Sequence, residues 1–233
     1  MCKYPLTLAA TLFMLGISNS EASLVISQIY GGGGGGIPVP TYKSDYVELL
    51  NNSETAQNLT GYSIQYASST GTTWAAIALP NVTIAPYQYF LIQGFTSTTG
   101  LQELPLPEFN AGNGLNLSAS SGKLALVSTT NALTGSVPSS AQILDLVGYG
   151  SASAFEGTGP APVLNSVSAL FRYQAGLTDT QNNAADFFVA EPLPRNSSSL
   201  AAAPVPLPMS LLMLGSAISG LLWAPRRTAQ SAS

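Results

Sequence analysis

One loop near the C-terminal end carries the oxygen-bearing side chains that calcium prefers. Asp179, Gln181, Asn183 and Asp186 occupy near-alternate positions in the segment 179–186. Calcium takes about six to eight oxygen ligands from carboxylates, amides and backbone carbonyls. The spacing therefore suggests a calcium loop. The absence of a turn glycine and of a bidentate Glu favours the other interpretation, an Asx-rich turn whose side chains cap local backbone groups.

Three further acids, Asp45, Glu48 and Asp145, are candidates for acid–base chemistry. Glycoside hydrolysis needs two carboxyl groups about 5 to 9.5 Å apart around a sugar. Asp45 and Glu48 face opposite sides of a regular strand, and nothing in the sequence brings Asp145 beside either of them. We therefore expect solvated acids at the edges of a sheet. A small carboxylate- or metal-dependent hydrolase remains the alternative function.

Six consecutive glycines, 31–36, resemble a phosphate-binding loop only superficially. A P-loop continues with Lys and Ser or Thr at the start of a helix, whereas Ile37 and Pro38 follow here. Because glycine has the most backbone freedom to lose on ordering, we expect a mobile loop after the first strand.

Several aromatic side chains have the apolar face and polar tip that suit stacking against sugar rings. Most of them lie in segments with strand character and are expected in the core. Tyr42 and Trp74 are the least committed to it, and they form the candidate binding surface.

The composition excludes several classes of enzyme. The 233 residues include 7 Lys and Arg, 11 Asp and Glu, a single Cys and no His. The lack of His removes Ser-His-Asp and Cys-His nucleophile systems and metal sites that need imidazole. A pI near 4.6 makes nucleic acid an improbable partner, because Lys and Arg supply most of the affinity for phosphates. Apart from calcium, we predict no cofactor.

The body of the chain has the pattern of an all-β domain. Short β-branched or aromatic segments alternate with turn residues, and no segment shows a sustained helical period. This pattern predicts an antiparallel sandwich, with a small closed barrel as the alternative. The nine predicted strands are Leu24–Tyr30, Asp45–Leu50, Tyr62–Tyr66, Thr73–Ile77, Tyr87–Ile92, Lys123–Val127, Ile143–Val147, Ala169–Tyr173 and Phe187–Val189.

The first 22 residues have the features of a secretory signal peptide. Lys3 precedes an apolar stretch, 6–17, and small residues lead up to a boundary after Ala22. Removal of this segment also removes Cys2, so the exported chain contains no disulfide and depends on packing alone.

The last segment, 200–233, is apolar and ends in two arginines. A transmembrane segment is expected at about 207–224, with Arg226 and Arg227 on the cytoplasmic side. The motif Val205, Pro206, Leu207 and Pro208, the apolar helix and the arginines resemble a PEP-CTERM sorting signal of the VPLP type. This resemblance implies a Gram-negative producer of exopolysaccharide, an exosortase as partner and transient residence in the inner membrane.

The body, residues 23–199, resembles a bacterial lamin-tail domain. The similar blocks are Ile26–Gly32, Asp45–Asn51, Asn58–Tyr66, Pro86–Gln93, Ser121–Leu126, Leu170–Arg172, Asp179–Phe187 and Pro192–Asn196. The resemblance implies an immunoglobulin-like β-sandwich without catalytic activity of its own. It leads us to expect a secreted, exosortase-sorted structural or adhesive module at the cell surface or in the exopolysaccharide matrix. A nucleic-acid or calcium-bridged polymer-binding module is the second alternative.

Overall fold

The computed structural model describes residues 23–199, which form an immunoglobulin-like sandwich of two facing sheets. The larger sheet has six strands, and all of its pairs are antiparallel except the last. In spatial order they are β12 (Phe187–Ala190), β11 (Ala169–Arg172), β1 (Leu24–Tyr30), β2 (Ser44–Asn51), β7 (Tyr89–Thr96) and β8 (Phe109–Asn110).

The smaller sheet has four antiparallel strands, and a separate pair of short strands accompanies it. In spatial order the four are β10 (Ile143–Tyr149), β9 (Gly122–Val127), β4 (Ser63–Ser68) and β5 (Ala75–Ala78). The pair is β3 (Gln57–Asn58) with β6 (Thr83–Ile84), and one helical turn, α1 (Asn183–Asp186), precedes β12.

The main core lies between the two sheets. Leu49 of β2, Leu126 of β9 and Leu170 of β11 belong to one buried apolar cluster that contains side chains from both sheets. Burial of apolar surface is the dominant favourable contribution to folding, so this layer holds the sandwich together.

The sequence analysis predicted the strands well and missed only the shortest ones. Each of the nine predicted segments overlaps an observed strand. The unpredicted β3, β6 and β8 have two residues each, too few to show a period. The closed-barrel alternative is wrong, because the strands form separate sheets with distinct edges.

Long loops cover the outer face of the six-stranded sheet. The segment 31–43 bonds to the loop 97–108, for example through Lys43 N and the carbonyl of Gln102 at 2.9 Å. Beneath them lies a second apolar cluster that includes Tyr30, Tyr42 and Tyr46. The outer face is therefore packed and not solvated.

The expectation of a mobile glycine loop is wrong for its first half. Gly31, Gly32 and Gly33 are buried, and a Cβ on Gly33 would lie 2.4 Å from the backbone of Ser44 and Asp45. These glycines are needed because two backbone segments pass too close together for any side chain.

Within residues 23–199, no helix is long and apolar enough to cross a bilayer.

Candidate functional site

A buried cluster of charged side chains surrounds Arg172 of β11. Its Nη2 donates to both carboxylate oxygens of Asp145, at 2.9 and 2.7 Å, and its Nη1 donates to Asp179 Oδ1 at 3.1 Å. Asp186 Oδ2 lies 3.6 Å from the same Nη1. Because a buried charge is tolerated only when it is paired and hydrogen-bonded, these residues form one structural unit.

The same ion pair supplies hydrogen bonds to the backbone of β1. Asp145 Oδ2 accepts from Ile26 N at 2.6 Å, and Arg172 Nε donates to the Ile26 carbonyl at 3.0 Å. The register between β1 and β2 shifts between Ile26 and Gln28. Since Asp145 lies on β10 and Arg172 on β11, the pair joins the two sheets at an irregular point of β1.

Asn183 bonds to the free edge of β10. Its Oδ1 accepts from Gly148 N at 2.9 Å, and its Nδ2 donates to the Leu146 carbonyl at 3.0 Å. Next to it, Glu156 Oε1 accepts from Leu146 N at 3.1 Å. These side chains take the place of a neighbouring strand, which protects an edge that would otherwise pair with other chains.

The calcium loop predicted from sequence does not form a converging set of ligands. Asp179 and Asp186 bind the guanidinium of Arg172, Asn183 bonds to β10, and the exposed Gln181 donates to Asp179. Within residues 23–199, no group of three or more His, Cys, Asp or Glu side chains could hold a metal ion. These contacts agree with the other interpretation of the segment 179–186, a turn whose side chains bond to groups of the chain itself.

Asp45 of β2 joins two loops to the sheet. Its Oδ1 accepts from Gly33 N at 2.8 Å, and its Oδ2 accepts from Leu117 N at 2.9 Å. Burial raises the pKa of Asp45 to about 7, despite the lowering effect of the hydrogen bonds from Leu117 and Gly33. This buried carboxyl group is a structural acceptor for the backbone of two loops.

Glu48, also on β2, is buried against Arg195. The Nη2 of Arg195 donates to Glu48 Oε1 at 2.7 Å, and its backbone N donates to Oε2, also at 2.7 Å. Ser27 Oγ donates to Oε1 at 2.5 Å, and the guanidinium carbon of Arg195 lies 3.9 Å from the ring centroid of Tyr89. Burial raises the pKa of Glu48, and the charge of Arg195 opposes that shift.

The expectation of solvated acids at the sheet edges is therefore wrong for Asp45, Glu48 and Asp145. All three are fully buried, and each binds partners of its own chain. Because each is engaged with different partners, these three acids do not form the paired-carboxylate site that a hydrolase needs.

Residues 193–199, which we call the strap, cross the outer face of the six-stranded sheet. Leu193 N donates to Gln28 Oε1 at 3.1 Å, and its carbonyl accepts from Gln28 Nε2 at 2.9 Å. Ser197 N donates to Glu108 Oε1, beside β8, at 2.8 Å. Together with the Arg195–Glu48 pair, these contacts join the strap in turn to β1, β2 and the β8 edge.

The candidate binding surface at Tyr42 and Trp74 is buried, so its predicted exposure is wrong. Trp74 is 3% exposed, lies under the ammonium group of Lys123 and donates from Nε1 to the Gly135 carbonyl at 3.0 Å. Tyr42 is 9% exposed and meets the ring of Tyr30 edge to face. Tyr42 belongs to the apolar cluster on the outer face of the six-stranded sheet, and Trp74 to the one on the outer face of the smaller sheet.

Lys123 is a buried cation that has no acidic partner within residues 23–199. Its Nζ donates to the carbonyls of Gly71 at 2.8 Å and Ser136 at 2.7 Å, and to Ser153 Oγ at 3.2 Å. Burial lowers the pKa of this ammonium group. Lys123 thus connects three loops over the outer face of the smaller sheet.

The sequence analysis did not single out Lys123, Arg172 or Arg195. A signal was available: each is a rare charge, and the first two lie inside strands that are otherwise apolar. A lone charge in such a strand indicates a buried group that is hydrogen-bonded to partners in its own chain. The partners could not be identified, because Arg195 and Glu48 are 147 positions apart.

A surface depression of about 550 Å³ lies between the turns 120–121 and 160–163. Its lining consists of small or apolar residues, among them Ser120, Ser121, Gly150 and Val163, and it contains no titratable side chain. It lacks the convergent acid and base that a hydrolytic site requires.

The predicted signal peptide, 1–22, and the predicted sorting segment, 200–233, lie outside the described residues. The same holds for the residues of the sorting motif, which are Val205, Pro206, Leu207, Pro208, Arg226 and Arg227.

Residues 18–151 match the Lamin Tail Domain. A crystal structure of a DUF4876 family protein from Bacteroides thetaiotaomicron is similar, with a TM-score of 0.49 and 12% identity over 78% of this chain and 75% of that chain. No curated protein matches significantly. Arg172 and Arg195 lie beyond the residues that match the family.

Proposed function

This chain belongs to the lamin tail domain family, and from that membership we propose that it is an exported, non-catalytic module. It is sorted through its C-terminal segment and has a structural or adhesive role at the envelope, or in the exopolysaccharide matrix, of a Gram-negative bacterium. The partners of this role are an exosortase-type enzyme, the inner membrane for a limited time, and the matrix polymer.

The observation that carries the proposal is the use of charge in the fold. Asp145, Arg172, Glu48 and Arg195 are bound in pairs that join sheets or hold the strap, and Asp45 joins loops. Groups that perform acid–base chemistry must reach a substrate. These groups are instead engaged in hydrogen bonds and ion pairs within the chain. Such an arrangement suits a durable scaffold.

The export route is supported by the sequence of the two terminal segments. The segment 1–22 has the order of charge, apolar run and small residues that export signals share. The segment 200–233 combines the VPLP motif at 205–208, an apolar run and two arginines.

The net charge of residues 23–199 affects how the domain binds an acidic matrix polymer. Residues 23–199 contain four basic residues (Lys43, Lys123, Arg172 and Arg195) and ten acidic ones, which gives 4 − 10 = −6. A negative protein is repelled by an acidic polymer unless a divalent cation bridges the two. We therefore expect calcium to strengthen retention in an acidic matrix by acting between the two surfaces.

Processing and retention can be tested in one set of cultures. The full chain is produced in its host, and intact masses are measured for protein from the membrane, the cell surface and the medium. We expect the surface and medium forms to lack residues 1–22 and the arginine tail. The double variant Arg226→Gln, Arg227→Gln should accumulate with its tail in the membrane fraction. A tail retained on the surface form would contradict sorting by cleavage.

Retention is then measured by co-sedimentation of the processed protein with the host's own extracellular matrix, with calcium and with a chelator. Sedimentation only with calcium supports a bridged matrix protein, and sedimentation in both conditions supports direct contacts. If the protein stays in the supernatant in both conditions, the adhesive role is wrong.

A further inference from the structure

The outer face of the six-stranded sheet carries an unusual share of exposed apolar side chains. Three segments cover this face, 31–43, 97–108 and the strap, and we call them together the cover. Five of the nine exposed large hydrophobic residues of the described chain belong to the cover. These five, which we call the apolar patch, are Ile37, Val39, Leu101, Leu106 and Leu193.

The three segments of the cover are bonded to one another. Leu101 N donates to the Pro40 carbonyl at 3.0 Å, which places Leu101 beside Val39. Asn196 Nδ2 of the strap donates to the Leu106 carbonyl at 3.1 Å. The apolar patch therefore lies on a connected surface and not on separate loops.

The charges of the cover are all engaged within the chain. Lys43 Nζ lies 2.6 Å from Glu103 Oε1, and Arg195 pairs with the buried Glu48. Glu108 accepts from Ser197 N at 2.8 Å through one oxygen and from Leu91 N at 2.7 Å through the other. A surface whose charges are already paired loses less on leaving water than one with free charges.

The C-terminal segment follows directly after the strap, which is part of the cover. The strap ends at Ser199, and nine residues, 200–208, separate it from the apolar run 209–223. Nine extended residues span at most about 30 Å. A chain anchored through this run keeps Ser199, where the cover ends, within that distance of the bilayer.

We propose that the apolar patch contacts the lipid bilayer while the C-terminal segment is still attached, so that the domain rests on the membrane through its cover. This inference depends on the proposed anchoring of the segment 200–233. Apolar side chains gain free energy by leaving water for the interfacial region, and the short tether keeps them near it. Cleavage of the tail removes the tether and releases the patch.

The test uses site-specific fluorescence on the full chain. Cys2→Ser removes the single native cysteine, and the protein is produced in an exporting host and purified from its membranes. A polarity-sensitive fluorophore is attached at Leu101→Cys or at Leu106→Cys in the patch. The matched control is Val137→Cys, because Val137 is 66% exposed against 73% for Leu101 but lies beside the other sheet. A fourth label, at Ser216→Cys, reports insertion of the tail.

Each labelled protein is reconstituted into vesicles of neutral phospholipid, with and without lipids that carry a quencher in the acyl chain. We expect emission from positions 101 and 106 to shift to shorter wavelength and to be quenched, and emission from position 137 to stay as in water. If the tail label is quenched and the labels at 101 and 106 behave like the one at 137, the proposed contact between the apolar patch and the bilayer is wrong. The proposed anchoring of the tail is then still supported. If the tail label itself stays in water, the proposed anchoring is wrong and the contact falls with it.

Discussion

Single residues hold this fold together through charge, in a chain where only 8% of residues are charged. Arg172 illustrates the principle, because one guanidinium binds Asp145, Asp179 and a backbone carbonyl of β1. Low charge content and high internal use of charge are consistent with each other, because three of the four basic residues within 23–199, Lys123, Arg172 and Arg195, donate hydrogen bonds to loops or strands of the fold.

Replacing Arg172 with Met should destabilise the protein severely. The change leaves Asp145, Asp179 and Asp186 buried without their cation, and removing one partner of a buried ion pair costs about 3–5 kcal/mol. Urea denaturation of the full chain in mild detergent measures the free energy of unfolding. The control is Lys43→Met, whose half-exposed pair with Glu103 is expected to contribute less than about 1 kcal/mol. Equal losses in both variants would contradict a special role for the buried cluster.

The protein should be more stable at mildly acidic pH than at neutral or slightly alkaline pH. Burial raises the pKa of Asp45 from 3.8 to about 7 and that of Glu156 from 4.5 to about 8, the latter with help from the charge of Asp145. Below about pH 3 both groups are protonated in the folded and in the unfolded chain. As the pH rises toward 8, the two carboxyl groups lose their protons in the unfolded chain before they do so in the folded one. The unfolded state is therefore stabilised relative to the folded state, and the free energy of unfolding falls.

Denaturation midpoints at pH 4.5, 6 and 8 and constant ionic strength test this dependence. Because each pKa unit corresponds to about 1.4 kcal/mol, a loss of several kcal/mol is expected across this range. Glu156→Gln should flatten the decline, whereas the same change at the exposed Glu191 should leave it intact. A stability that rises with pH in this window would show that the buried acids are ionised in the fold at no cost.

At the scale of elements, the sandwich protects its edges with side chains and loops. Asn183 and Glu156 satisfy the outward backbone groups of β10, and β8 is only two residues long. Free strand edges favour pairing with other chains, so these features lower the tendency of the sandwich to aggregate through its edges.

The two halves of the glycine run should respond differently to a methyl group. In Gly33→Ala the Cβ would meet backbone atoms at 2.4 Å, and such overpacking costs about 1–3 kcal/mol or more. In Gly34→Ala the nearest atom is 3.9 Å away, on the ring of Phe95, so a neutral or slightly stabilising change is expected. Thermal denaturation of the two variants checks the contrast. Equal effects would mean that the whole run is mobile, as the sequence alone suggested.

How much of this could be read from the sequence depends on the range of the interactions. Strands such as Leu24–Tyr30 were predicted with their observed bounds, because alternation and turn residues are local signals. The burial of Glu48 was not predicted, since it depends on Arg195, which lies 147 positions away. Trp74 was misplaced for the same reason, because the cation that covers it, Lys123, comes from another strand.

For the molecule as a whole, the strap is the element that links the sandwich to its C-terminal segment. It runs across the strands, and its contacts with Gln28, Glu48 and Glu108 are made on three separate parts of the six-stranded sheet. The buried carboxylate of Glu48 and the ring of Tyr89 hold its centre through Arg195. The strap therefore belongs to the fold and not to the tail.

Arg195→Met should loosen the strap while leaving the sheets paired. The amide protons of Leu193 and Arg195 donate to Gln28 and Glu48, so their hydrogen exchange reports on attachment. We expect at least about tenfold faster exchange at both, the equivalent of about 1.4 kcal/mol. The amide of Gly33, which donates to Asp45, serves as the internal control and should be unchanged. Unchanged exchange at Leu193 would show that the backbone contacts alone hold the strap.

The direction of the strap also determines how the domain responds to mechanical load. A pull on the chain beyond Ser199 acts first on the hydrogen bonds that Ser197 and Asn196 make to Glu108 and Leu106, next to β8. It then reaches the guanidinium of Arg195 on Glu48 of β2, and last the contacts of Leu193 with Gln28 of β1. The load therefore breaks the side-chain contacts of the strap one after another before any pair of strands has to separate.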